Sequence, residues 1–206
     1  MSIEIWLAFS LASIVLLIIP GPTILTVISY SMSHGLKAKI PLVLAVALGD
    51  STALALSLVG LGALLEESVF WFQVVKWAGG LYLLYLGVKL LMAGVKAPTI
   101  EANKPAASSL KLFVNTYLVT ALNPKGIIFF VAFLPQFINT QGDVSAQLWV
   151  LSVTFVALAA LNATLYAVFA GRARQLLSSG KAQRIFNLCG GSLMSTAGVW
   201  ALVAKQ

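Results

Sequence analysis

A chain of 206 residues that is 60 % apolar and only 9 % charged, with a mean hydropathy of +0.97, exceeds what a water-soluble core needs and specifies an integral membrane protein. Its one cysteine, Cys189, excludes an internal disulfide and a paired-thiol redox centre, and its one histidine, His34, leaves no imidazole cluster for haem or zinc, so no cofactor and no metal are called for. The net charge of +7 would suit nucleic acid in a soluble protein, but the basic residues fall between apolar runs, where the membrane accounts for them.

The first apolar run covers about residues 5 to 33. It opens MSIEIW, acidic and without a basic stretch, and continues too long for a cleaved signal, so it reads as a retained helix. Pro20-Gly21-Pro22 breaks it near the middle: each proline removes an amide donor and clashes with the carbonyl one turn back. The second run, about 40 to 65, carries Asp50 in ALGDSTALAL, about ten residues in and so roughly 15 Å from its end, which is mid-membrane. The third, about 69 to 93, contains KWAGGLYLLYLG. Lys76 and Lys89 sit near its two ends, where lysines snorkel to the interfaces, and Tyr82 and Tyr85 read as packing or interface residues.

Polar, Pro/Ala/Ser-rich KAPTIEANKPAASSL then predicts a flexible linker over 96–111. The fourth run, about 112 to 138, is interrupted by Asn123-Pro124-Lys125; the fifth, about 147 to 170, holds Asn162; the sixth, about 186 to 204, holds FNLCGGSLMSTAG. Each is near or above the ~20 residues that cross a ~30 Å hydrocarbon core. The expectation is an all-α polytopic membrane protein of six transmembrane helices, with the first and fourth broken.

Charge alternates between the connections. Lys37 and Lys39 follow the first helix, Lys96, Lys104 and Lys111 the third, and Arg172, Arg174, Lys181 and Arg184 the fifth, whereas Glu66, Glu67 and Asp143 follow the second and fourth and Glu4 precedes the first. This is the positive-inside pattern with both termini outside the cytoplasm.

The halves also echo each other. Gly79, Gly80 and Gly87 recur as Gly190, Gly191 and Gly198 at one offset, Pro22 pairs with Pro124, and Asp50 with Asn162 at a similar spacing. Three helices per half make the second copy enter from the opposite side, so the chain is expected to form one transporter domain, 1–206, of two inverted repeats, 1–95 and 112–206. The glycines read as close-packing positions, and the site is expected where the two broken helices meet.

Freed carbonyls are costly in hydrocarbon unless they line a wet cavity, so paired breaks point to a cavity. Lys125, about thirteen residues into the fourth helix, costs at least ~2.5 to 3.5 kcal/mol at that depth, and neither it nor Asp50 is expected to face lipid. Burial favours neutral forms and pairing favours charged ones, so a group held between them can exchange a proton when its surroundings rearrange. Asn162, Thr23, Ser51 and Asn115 add neutral polarity, the last two as interhelical hydrogen bonds.

The PGP of the first helix, the GD of the second, KWAGGLYLLYLG and LNPKGIIFFVAFLPQF, in that order, resemble the LysE/RhtB family of bacterial amino-acid exporters over essentially the whole chain. The resemblance implies efflux of an amino acid or a close derivative across the bacterial cytoplasmic (inner) membrane, with protons as the coupling ion. Its motifs fall on Pro20, Gly21, Pro22, Asp50, Asn123, Pro124 and Lys125. The zwitterion is expected in a midplane cavity, its carboxylate near Lys125 or freed amides and its ammonium near Asp50 or freed carbonyls.

Two other readings compete. A membrane-embedded enzyme or thiol-redox carrier would need a cysteine pair. A cation or metal transporter of the same six-helix superfamily would want several carboxylates, histidines or thiols at depth. A dibasic substrate would need a second anion beside Asp50, which favours neutral amino acids such as threonine, homoserine or leucine. A homodimer is compatible with this layout.

Overall fold

The computed structural model describes residues 1–67, 69–93, 108–139 and 141–203. Lys96, Lys104 and most of the expected linker lie outside the described residues, as do the side chains of Glu66, Glu67 and Lys76. Every regular element among the described residues is helical.

The first apolar run forms α1 (Ile3–Ile18) and α2 (Pro22–His34), which meet at an angle of 55°. Pro22 opens α2 behind the extended Gly21, a first-turn position that needs no amide donor, so the break that ends one helix starts the next. A 3₁₀ turn, Gly35–Ala38, begins at a left-handed glycine with φ +61° and leads into α3 (Lys39–Glu67) and α4 (Val69–Met92).

In the second half, α5 (Ser109–Ala121) is capped by Ser108, whose Oγ accepts from the Lys111 amide at 3.3 Å. Then come α6 (Pro124–Ile128), a π-helical turn over Phe129–Phe133 and a 3₁₀ turn over Leu134–Phe137. The break before Pro124 is milder than the one at PGP: Ser109–Phe137 keeps one course, long and apolar enough to cross a membrane. One proline is responsible here rather than two, and the Asn123 carbonyl takes the Ile127 amide at 3.1 Å, restoring the helix at once.

The chain continues as α7 (Val144–Val168), α8 (Ala170–Ser178) and α9 (Gly180–Val203). Helix α8 was not expected from hydropathy, since it is short and amphipathic rather than apolar. Its Ala170, Ala173 and Leu177 pack on Ile24 and Ile28 of α2, and Arg172 is exposed, so two arginines expected in a loop lie on a helix. Its form suits the membrane surface.

Besides Ser109–Phe137, the stretches Lys39–Gly60 and Val144–Val168 are long and apolar enough to span, and the bent α1–α2 pair serves as one broken span. Leu56, Val59, Trp149 and Val153, all more than 60 % exposed, turn a hydrocarbon exterior outward as a lipid-facing surface requires. The chain is a polytopic all-helical membrane protein.

The glycines draw helices together. A Cβ on Gly87 of α4 would lie 2.5 Å from the Ser195 amide nitrogen and 2.8 Å from the Gly191 carbonyl, and one on Gly198 of α9 would lie 2.7 Å from the Gly80 carbonyl. Helices α4 and α9 therefore touch backbone to backbone, a packing role that only glycine fills. Gly49 of α3 admits Thr120 of α5 in the same way, its missing Cβ lying 2.7 Å from Thr120 Cβ.

Candidate functional site

A helix ends with four carbonyls that no amide of its own satisfies. In α1 these belong to Leu16, Leu17, Ile18 and Ile19, because the Ile19 amide bonds back to Val15 and Pro20 has no N–H to give. All four are taken by side chains from the other half. Lys125 Nζ donates to Leu16 O at 2.9 Å and Ile19 O at 2.8 Å. Asn162 Nδ2 donates to Leu17 O at 3.1 Å and Tyr166 Oη to Ile18 O at 2.9 Å. The broken end is thus left without an orphan acceptor.

Asn123 joins the two breaks. Its Oδ1 accepts from the Lys125 amide at 3.2 Å, capping α6, while its Nδ2 donates to Thr23 Oγ1 at 3.2 Å. The start of α2 has no side-chain cap, so the Thr23 and Ile24 amides at the positive end of its dipole remain available to an anion.

Asp50 faces this arrangement from α3. Its side chain is 7 % exposed and makes no hydrogen bond or ion pair with a described residue; Oδ1 lies 3.9 Å from the position a Cβ on Gly126 would occupy. Lys125 attracts it across the site, yet no N–O contact within 4 Å joins the two. The lysine is held by carbonyl dipoles instead of by the carboxylate.

Gly21, Thr23, Asp50, Asn123, Lys125 and Asn162 line one cavity, closed by Leu16, Ile24, Val46, Gly126, Phe155 and Ala159. Its volume is about 30 Å³, room for a water or two and an order of magnitude below the ~300 Å³ at which ligand pockets begin. A substrate therefore needs the surrounding helices to move apart. Pro20, Pro22 and Pro124 stand at the breaks themselves. Two of the larger clefts, about 380 Å³ between α1 and α9 and about 740 Å³ between α3 and α7, are lined almost wholly by hydrocarbon and suit lipid rather than a zwitterion.

Beside the cavity the walls differ in character. Phe155 packs on Phe130 and Phe129 at centroid distances of 4.7 and 5.6 Å, and Phe9, Phe133 and Phe137 extend this cluster toward the start of α1. In α2 and α5, Ser29, Ser31, Thr116 and Thr120 are buried instead.

One expectation changes. Ser51 does not bridge helices; its hydroxyl returns to Ala47 O of its own turn at 2.7 Å, because a helical serine finds that carbonyl without any partner. Asn115 bridges as expected, donating to Tyr30 Oη at 3.0 Å. The residues that sequence reasoning missed are Tyr166 and Gly126. Tyr166 lies one turn beyond Asn162, so Phe155, Ala159, Asn162 and Tyr166 share one face of α7, a periodicity that a search for polar residues alone passes over.

The sequence profile described as LysE type translocator matches residues 14–205. Among similar proteins, a homoserine/homoserine lactone efflux protein of Salmonella typhimurium is 31 % identical over 206 residues, covering all of both chains. A membrane protein of Vibrio cholerae is 30 % identical over the same full length, and membrane protein YrhP of Bacillus subtilis is 28 % identical over 201 residues, 94 % of this chain and 96 % of its own. No solved structure matches the chain.

Proposed function

The chain belongs to the LysE type translocator family, and from that premise we propose that it exports an amino acid or a close derivative, homoserine or another neutral one, in exchange for protons across the bacterial cytoplasmic membrane. The observation that carries this reading is the buried carboxylate of Asp50, which has no hydrogen-bond or ion-pair partner among the described residues and shares a small polar cavity with the uncapped start of α2 and the Lys125 ammonium. A zwitterion has the complementary pattern. Its carboxylate is received by the Thr23 and Ile24 amides, reinforced by Lys125, whose Nζ would lie 3.5 Å from a Cβ on Gly21, and its ammonium by Asp50. The freed carbonyls of α1 are already taken, which leaves the carboxylate of Asp50 for the substrate amine.

Proton exchange follows from the same feature. A carboxylate without hydrogen-bond donors is poorly stabilised when charged, so an incoming ammonium favours its ionised form and departure of the substrate favours reprotonation. Binding and proton release are then linked through one side chain.

The homoserine/homoserine lactone efflux protein named above, similar over its full length, supports a small neutral substrate. The topology in this reading is six spans in two inverted repeats, 1–95 and 112–206, with both termini outside. The backbone contact of α4 with α9, third helix against sixth, supports the repeat. In that orientation the phenylalanine cluster closes the outer route.

The test is uptake of labelled homoserine into energised inside-out vesicles. Accumulation above that of vector vesicles, collapsed by a protonophore, is expected. Absence of accumulation for homoserine, threonine and leucine alike, or accumulation indifferent to the proton gradient, refutes the reading.

A further inference from the structure

We propose that the end of α1 is a binding site for a primary ammonium ion, which the chain fills with its own Lys125. The inference does not depend on which molecule is exported. It rests on where the lysine's charge is neutralised: Nζ sits 2.9 Å from Leu16 O and 2.8 Å from Ile19 O, two carbonyls three residues apart that converge from one edge of the helix end.

Several features mark this as a cation site rather than an incidental contact. The oxygens belong to the negative end of the α1 dipole, which favours positive charge. They have no amide partners, since Pro20, four residues after Leu16, has no N–H, and Thr23, four residues after Ile19, already belongs to α2. No carboxylate lies within 4 Å of Nζ among the described residues, so the charge rests on neutral dipoles, as a bound monovalent cation does on a ring of carbonyls. Gly21 lies alongside the stem: a Cβ there would meet Cε and Nζ at 3.5 Å and Cδ at 4.0 Å, ordinary contacts.

The chemistry of the occupant follows from the donor set. The two remaining carbonyls go to Asn162 and Tyr166, both neutral, so among the described residues no anion is in contact with the cation position, as a divalent metal would need. Two acceptors at N–H···O distances suit a compact ammonium with three rotatable donors better than the flat fork of a guanidinium. Lys125 is in this sense a positioning residue. It ties the end of α1 to α6 by a charge that is attached to the chain, where an ion in solution could otherwise bind.

Removing the side chain should create a vacant site that a free amine refills. Lys125→Ala deletes three carbons and the ammonium, the atoms of n-propylammonium. The full-length protein, purified in detergent, is titrated with n-propylammonium chloride, with tetramethylammonium chloride at equal concentration as the cation that has no N–H, and the unfolding midpoint is read by tryptophan fluorescence. We expect a lowered midpoint for the variant, a saturable rise of a few degrees with n-propylammonium, and no such rise in the native protein. Equal responses to the two cations, or equal responses of variant and native protein, overturn the proposal. If the alanine variant is lost on extraction, Lys125→Met decides, because it refills the volume without the charge: a methionine variant as stable as the native protein overturns the proposal, and one lost like the alanine variant upholds it. The readout is stability, so failure of homoserine export would leave this result standing, and the reverse.

Discussion

Replacing Asp50 by asparagine separates two roles by the sign of a stability change. If Asp50 and Lys125 formed a buried ion pair stapling α3 to α6, removing one charge would strand the other, at a cost of about 3–5 kcal/mol. The structure predicts the opposite. Asp50 accepts no hydrogen bond from a described residue and touches no ammonium within 4 Å, so the amide loses no contact, while Lys125 keeps both its carbonyls. What is removed is a carboxylate 7 % exposed, a placement that inside a membrane costs about 2.5–3.5 kcal/mol on insertion scales when charged and little when neutral. The expected change for Asp50→Asn is therefore between zero and about 2 kcal/mol of stabilisation. Reversible unfolding of the detergent-purified protein measures it, and vesicle uptake of homoserine should fall to background in the same variant. Destabilisation of about 3 kcal/mol would show that the pair is structural. Export at the native level with unchanged proton dependence would remove Asp50 from the mechanism altogether.

Other substitutions test the remaining parts. Gly87→Ala drives a methyl into the backbone of α9 at Ser195 and Gly191 and should cost about 2–3 kcal/mol, whereas Gly171→Ala, with nothing within 4 Å, should be neutral or stabilising by up to ~1 kcal/mol; equal unfolding midpoints would contradict the packing described for α4 and α9. Gly126→Ala places a methyl 3.9 Å from Asp50 Oδ1 and from the Phe130 ring, an ordinary contact, so the protein should fold as before. The methyl nonetheless encroaches on a cavity of about 30 Å³, and the KM for homoserine should rise about tenfold or more, the cost of crowding a tight pocket by one methyl group; unaltered KM would place the substrate elsewhere. Tyr166→Phe leaves the Ile18 carbonyl without its donor and should lower stability by about 0.6–1.7 kcal/mol, as interhelical hydrogen bonds in membranes do. A midpoint unchanged by this substitution would mean that water serves the carbonyl equally well.

Much of the architecture was legible because a bilayer imposes strict chemistry on sequence. Apolar runs of sufficient length have to be helices, since an exposed backbone cannot be satisfied in hydrocarbon, and Pro20-Gly21-Pro22 has to end one of them. Asp50 and Lys125 stood out for the same reason: charge at that depth needs an explanation whatever the fold. The amphipathic α8 was missed because a short surface helix leaves no hydropathy signal, and the π-helical turn at Phe129–Phe133 because nothing in a run of phenylalanines announces a change of helical pitch.

The sequence by itself determined that this chain lives in a membrane, where its helices break, and which residues are too polar to face lipid. Only the tertiary structure decided which polar group answers which. Asp50 and Lys125, natural partners by charge, are kept apart because four carbonyls at the end of α1 need donors, and Lys125, Asn162 and Tyr166 lie where they can supply them. Composition records how many donors and acceptors a chain owns; their pairing depends on where packed helices hold them, at distances of about 3 Å that no spacing along the chain encodes.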